Sequence, residues 1–153
     1  MGVSLFLRLS DDAHRVFTQS KYVSSVAKSK VDNPRLLEAL LSRDRVELAA
    51  ELLVRVFEPH VDKPYPHVYA TTLGVELGRI GGLDLRSWTW VADHRPEGEL
   101  SRLVLEFVLM WERAGLACRG FSYESTEIAL LFRGTELILS GGLGAVRAAL
   151  ASA

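Results

Sequence analysis

The apolar positions change period several times along the chain, and each change marks an element. Val3 to Leu9 (VSLFLRL) alternates and is rich in β-branched and aromatic residues, which predicts a strand. Ser10, Asp11 and Asp12 can accept the free N–H groups of a first turn, so a helix is expected through about Ser20. Ala13, Val16, Phe17 and Ser20 would share its buried face. A basic, Ser-rich stretch follows, KYVSSVAKSK (21–30). Asn33-Pro34 then opens another helix, with proline at a permissive first-turn position. Leu36, Leu37, Leu40 and Leu41 form one apolar stripe, and Val46, Ala49, Ala50, Leu53, Val54 and Phe57 form a second. A break near Ser42-Arg43-Asp44 divides them into two helices, with Ser42 or Asp44 capping the second.

Pro59, Pro64 and Pro66 end this helical region, and HVDKPYPH (60–67) is expected to be a linker or surface loop. VYATTLGVEL (68–77) fits a strand or a short helix equally well. SWTWVA (87–92) alternates as a strand, and DHRPEG (93–98) reads as a loop. The clearest helix is ELSRLVLEFVLMWERAG (99–115). Leu100, Leu103, Val104, Phe107, Val108 and Trp111 recur at helical spacing, and Gly115 stands where a C′ glycine belongs. ACRGFSY is a further candidate strand. IALLF and ELIL flank Arg133-Gly134, which predicts a β-hairpin over 121–140, and LGAVRAALASA predicts a terminal helix. The expected fold is α+β, built from two small α/β subdomains. The first is a helical unit over 1–66. The second covers 67–153 and is a mixed sheet packed against the 99–115 helix.

Composition narrows the function classes. The chain has 153 residues, a net charge of −1 and 24% charged residues, ordinary values for a water-exposed globular domain and not for a strongly basic nucleic-acid binder. Arginines outnumber lysines fourteen to four, which suits fixed ion pairs and phosphate contacts. The single cysteine, Cys118, allows neither an internal disulfide nor a cysteine zinc site, and it is expected to be a buried small residue. The opening MGVSLFLRLSDD has too short an apolar run for a secretory leader and lacks a basic start. No run reaches the roughly 18 apolar residues of a membrane span. A cytoplasmic location is expected.

Candidate chemistry is sparse. His60 and His67 are separated by a proline-containing loop with no third ligand near, so surface histidines are the better reading than a metal pair, and no metal or cofactor is expected. Asp93-His94 could orient a base, but no Ser or Cys nucleophile motif accompanies it. GRIGG (78–82) matches neither a P-loop nor a dinucleotide fingerprint and reads as a turn. Trp88 and Trp90 share one face of a strand; packing in a core or subunit interface outweighs base stacking. Lys21, Lys28 and Lys30 could touch phosphates, although a solvated basic loop is the simpler reading. IALLF has apolar side chains on both faces, and Leu137 and Leu139 in ELIL could lie at a sheet edge that another chain completes. These features favour a subunit of an assembly.

Residues 107–133, FVLMWERAGLACRGFSYESTEIALLFR, resemble the catalytic-domain core of archaeal tRNA-splicing endonucleases. There a helix leads into Tyr-x-x-Leu-x-x-Arg-Gly-[Tyr/Leu]-x-Val, a Gly-Phe turn and an apolar strand. Trp111 stands for the tyrosine, Ala114-Gly115-Leu116 for the Arg-Gly-Tyr turn, and Gly120-Phe121 for the Gly-Phe turn. DDAHRVFTQSKYVS (11–24) resembles the family's acidic-Ala…Leu…Gly-Tyr-Gly stretch, with Ser20 and Ser24 where glycines are usual. LLSRDRVELAAELL (40–53) resembles its Leu-Ser-x-x-Glu-Ala-x-x-Leu-Leu helix. The family's catalysis uses Tyr, His and Lys, yet this chain has no His after His94 and no Lys after Lys63, and VRAALASA (146–153) carries Ala148 where the family's helix end has Lys.

The resemblance therefore implies a structural subunit without catalytic residues. Such a subunit pairs with a catalytic chain in a heterotetramer and scaffolds cleavage of bulge–helix–bulge introns in precursor tRNA. Arg147 lies near the family's arginine-bearing helix, and with Arg119 and Lys21 it is a candidate RNA contact. YESTE (123–127), with Glu124 and Glu127, would stand for the acidic docking loop. KYVSSVAKSKVDNPRLLEALL (21–41) also resembles the helical part of the small subunit of archaeal CRISPR ribonucleoprotein effector complexes. That reading implies a mainly helical core.

Overall fold

The computed structural model describes residues 34–85, 96–120 and 127–153. The expected elements at 3–9, 11–20 and 87–92 lie outside these residues, as do Lys21, Trp88, Trp90, Glu124, His14 and His94. Within them the architecture is α+β, as expected. In chain order the elements are α1 (Pro34–Leu41), α2 (Arg45–Phe57), a 3-10 turn (Glu58–His60), β1 (His67–Tyr69), α3 (Ala70–Ile80), α4 (Pro96–Arg113), β2 (Ala117–Arg119), β3 (Glu127–Leu130) and α5 (Phe132–Ala151).

Helix α1 starts at Pro34, and the break at Ser42–Asp44 separates it from α2 as the pattern predicts. Asp44 caps α2, its carboxylate accepting the Glu47 N–H at 2.8 Å. Helix α2 is the centre of the fold. Leu48, Ala49, Ala50, Leu52, Leu53, Val56 and Phe57 are all buried, so its apolar surface extends well beyond one stripe. It packs against α5, α3, α4 and β1.

The short sheet has the order β1-β3-β2, and both pairings among the described residues are antiparallel, so no parallel pair of the expected mixed sheet is found there. The sheet packs on α4 through β2, and one apolar cluster runs from Leu37 to Leu150. Residues on both sides of position 66 contribute to that cluster.

Helix α4 ends in a paired-bond turn. Leu116 N–H donates to the Trp111 carbonyl at 2.9 Å and Gly115 N–H to Glu112 at 3.1 Å. This geometry requires a left-handed residue at Gly115, whose φ is +69°. The same arrangement closes α3, where Leu83 bonds to Gly78 and Gly82 to Arg79, with Gly82 at φ +75°. GRIGG is thus the C-terminal turn of α3. The 68–77 segment divides: Val68 and Tyr69 belong to β1 and the rest to α3. DHRPEG yields its last residues to α4, which begins at Pro96.

The expected hairpin is not formed. Its first strand is present as β3, but ELIL lies within α5, which begins at Phe132, immediately after the extended Leu131. Gly134 is therefore no turn residue. It is buried in the first turn of α5, where an added Cβ would lie 2.3 Å from the Leu116 carbonyl oxygen. The buried positions Gly134 and Ile138 have helical spacing, and α5 kinks at Gly142 (φ 58°, ψ −142°) before Val146, Ala149 and Leu150 complete its buried face. The terminal helix expected from 143 is thus the second part of a longer one.

Two half-buried carboxylates tie surface elements together. Burial pushes the Glu76 carboxyl up, but the hydrogen bond from Arg55 and the charges of Arg79 and Arg55 outweigh it and hold it below its ordinary value. The Arg55 contact measures 2.7 Å and links α2 to α3. At Glu112 the hydrogen bond from Arg119 leads; it exceeds the opposing effect of burial and also leaves that carboxyl low. A depressed carboxyl stabilises the fold above its unfolded-state value, and this contribution is lost as pH falls through the folded value. The midpoint of thermal unfolding is expected to hold steady above about pH 4.5 and to fall below it. In Glu76→Gln the fall should be shallower in a calorimetric pH series. An identical slope in that variant would remove Glu76 from the account.

Candidate functional site

The two arginines expected at RNA are both engaged by carboxylates of the same chain. Arg119 ends β2 and clasps Glu112 of α4, with its Nε 2.9 Å from one carboxylate oxygen and its Nη2 3.1 Å from the other. Its backbone N–H donates to the same Glu112 at 3.0 Å. This contact pins the edge strand to α4, and it raises the guanidinium's affinity for its proton. Arg147, on α5, donates to Glu47 of α2 at 2.8 Å. Each guanidinium therefore serves a contact between elements, on different parts of the fold.

The expected interface residues also move. Leu137 and Leu139 are helical and do not form a sheet edge; Leu137 is half-buried against the core and Leu139 is 68% exposed. Glu127 begins β3 opposite Tyr69, so it is a strand residue and not part of a docking loop. The periodicity of ELIL misled because a short apolar run fits a strand and a buried helix alike.

What the fold does assemble lies on the sheet's outer face. Register places His67, Ala129 and Cys118 side by side across the three strands, on the face opposite buried Val68 and Ile128. Along the first strand the rings of Tyr65 and His67 lie 5.1 Å apart and those of His67 and Tyr69 6.0 Å apart, the second pair edge-on. Tyr65 and Tyr69 are each about half exposed. His67 Nδ1 lies 3.1 Å from the Tyr65 carbonyl, whereas His60 Nδ1 contacts Lys63 Nζ at 2.8 Å, so the two histidines have separate partners. Among the described residues no group of three or more His, Cys, Asp or Glu side chains gathers in metal-binding fashion.

Beside the aromatic row is an open groove of about 530 Å³. One wall is the loop from Val61 to Pro66. The floor is formed by Cys118, Ala129 and Leu130, and the far end by Leu131, Phe132 and Thr135 at the start of α5. Cys118 is half-buried and faces this space, more accessible than the buried residue expected. Phe132 is 91% exposed, an extreme value for a phenylalanine. It shares a helical face with Leu139, seven residues on. Lys63 and Arg119 bring cationic groups to the rim. The groove suits the capture of an apolar side chain, with charge at its edge to orient what enters.

Compared with protein-family models, curated proteins and solved structures, the chain matches none. No helix among the described residues is long and apolar enough to cross a membrane.

Proposed function

We propose that the chain is a non-catalytic structural subunit of a heteromeric tRNA-splicing endonuclease. It works in the cytoplasm by contact with a catalytic partner chain and, through the complex, with precursor tRNA. The observation that carries the association is the outward apolar surface at the start of α5, where Phe132 and Leu139 are 91% and 68% exposed. Isolated apolar side chains on a surface are ordinary. A nearly naked phenylalanine at the mouth of an apolar groove is the kind of anchor that interfaces use. The particular assembly rests on the segment 107–133, whose order of helix α4, glycine turn, β2 and β3 follows the endonuclease pattern, and on Arg147 in the last helix.

A second reading, the small subunit of an archaeal CRISPR ribonucleoprotein effector complex, is favoured by the weight of helix: five helices against three short strands among the described residues.

Affinity purification of the full chain from its source cells, followed by native mass spectrometry, separates the two. The endonuclease reading expects a heterotetramer containing a partner that bears Tyr, His and Lys in its C-terminal half. Cleavage of a bulge–helix–bulge RNA should then require both chains. Recovery with a CRISPR RNA and its large proteins would replace this reading with the second.

A further inference from the structure

We infer that two copies of this chain associate about a twofold axis, each placing Phe132 in the other's groove. A twofold contact uses the same patch on both partners, so the patch must carry a projection and a matching recess side by side. The start of α5 meets that condition. Phe132 projects with 91% of its surface exposed, and the groove of about 530 Å³ begins at its base, walled by Tyr65 and floored by Ala129 and Leu130. A phenylalanine ring fits such a space, and the facing Tyr65 offers it an aromatic neighbour.

The charges are arranged in the same self-complementary way. Glu136 is exposed one turn beyond Phe132, on the projecting side, and Lys63 lines the groove. Reciprocal insertion would bring each Glu136 toward the Lys63 of the other copy, whose ammonium otherwise contacts only His60 Nδ1 among the contacts described above, giving two attractive contacts in the dimer. Leu139, 68% exposed and on the same helical face, extends the apolar contact away from the groove. It uses the patch that the heteromeric reading gives to a catalytic chain, so the two contacts exclude each other at Phe132, and the self-association is a property of the chain without that partner.

Sedimentation equilibrium of the purified full chain is expected to give a monomer–dimer equilibrium. Phe132→Ala should raise the dimer dissociation constant by at least about thirtyfold, the loss typical of a central aromatic anchor. Its thermal unfolding should match the parent's at low concentration, since an exposed ring contributes little to the monomer's core. Lys63→Glu should weaken the dimer and the double variant Lys63→Glu/Glu136→Lys should regain it. A chain that is monomeric at every concentration overturns the inference, as does a dimer whose constant is unchanged by Phe132→Ala. A dimer broken by Phe132→Ala but not regained in the charge-swapped double variant overturns the reciprocal arrangement.

Discussion

Replacing Trp111 by alanine is expected to lower the stability of the chain by about 3–5 kcal/mol, measured as a shift in the urea midpoint at constant slope. Trp111 is the largest fully buried side chain among the described residues. It lies near the end of α4, and its indole N–H donates to the Ala49 carbonyl of α2 at 3.1 Å, sixty-two residues away in sequence. The side chain therefore does two things at once. It fills the space between α4 and the central helix, and it fixes their relative height through one directed bond. Alanine removes both, and backbone on either side cannot close the cavity without disturbing α2. Trp111→Phe keeps most of the ring volume and loses the bond, so its cost should be smaller, about 1–2 kcal/mol. Equal losses in the two variants would mean that the hydrogen bond, not the volume, carries the effect. A loss under about 1 kcal/mol in Trp111→Ala would contradict the packing described for this region.

How far the fold could be read from the chain depends on where the controlling contacts lie. The Pro34 start, the cap at Asp44 (one of the two positions the pattern offers) and the Gly115 terminator are local signals, and each sits where the pattern put it. Residues 68–77 were ambiguous because a strand and a helix meet inside them, and the change of period at Ala70 leaves too few residues for either to dominate. The hairpin failed for a different reason. Gly134 was read for its conformational freedom, whereas its role is to have no side chain where α5 meets the α4–β2 turn.

The candidate site was legible only in part. Arg119 and Arg147 are evident as charges, but their partners are not: Glu47 lies a hundred residues before Arg147. Phe132 looked like one more apolar residue of a buried strand. Its exposure follows from the helix that begins there, which turns its side chain out past the groove. Cys118, a small residue just after an amphipathic stretch, reads as core, but the outer face of β2 holds the groove instead.

The two glycines Gly134 and Gly144 of α5 should respond in opposite directions to the same substitution. In an ordinary helix position, glycine to alanine stabilises by about 0.5–1 kcal/mol, because glycine gives up more backbone freedom on folding. Gly144, in the first turn after the Gly142 kink, has no positive φ and is exposed, and an added Cβ would meet nothing within 4 Å, so the gain there is expected at the lower end of that range. Gly144→Ala should therefore raise the urea midpoint. At Gly134 the added Cβ would lie 2.3 Å from the Leu116 carbonyl oxygen, 2.6 Å from Leu130 Cδ1 and 3.2 Å from the Leu116 carbonyl carbon. The leucine methyl could rotate away, but the carbonyl cannot. Its oxygen accepts the Leu131 N–H at 2.9 Å, and the residue that carries it is part of the turn closing α4. To admit a methyl group, α5 must lift from that turn, which also strains the bond from Arg133 to the Ala114 carbonyl, 2.9 Å long. Overpacking of this kind costs about 1–3 kcal/mol, more than the entropic gain, so Gly134→Ala should be net destabilising. If both variants were stabilised alike, α5 would not approach the α4–β2 turn this closely, and a hairpin of IALLF and ELIL would be the better account of the segment.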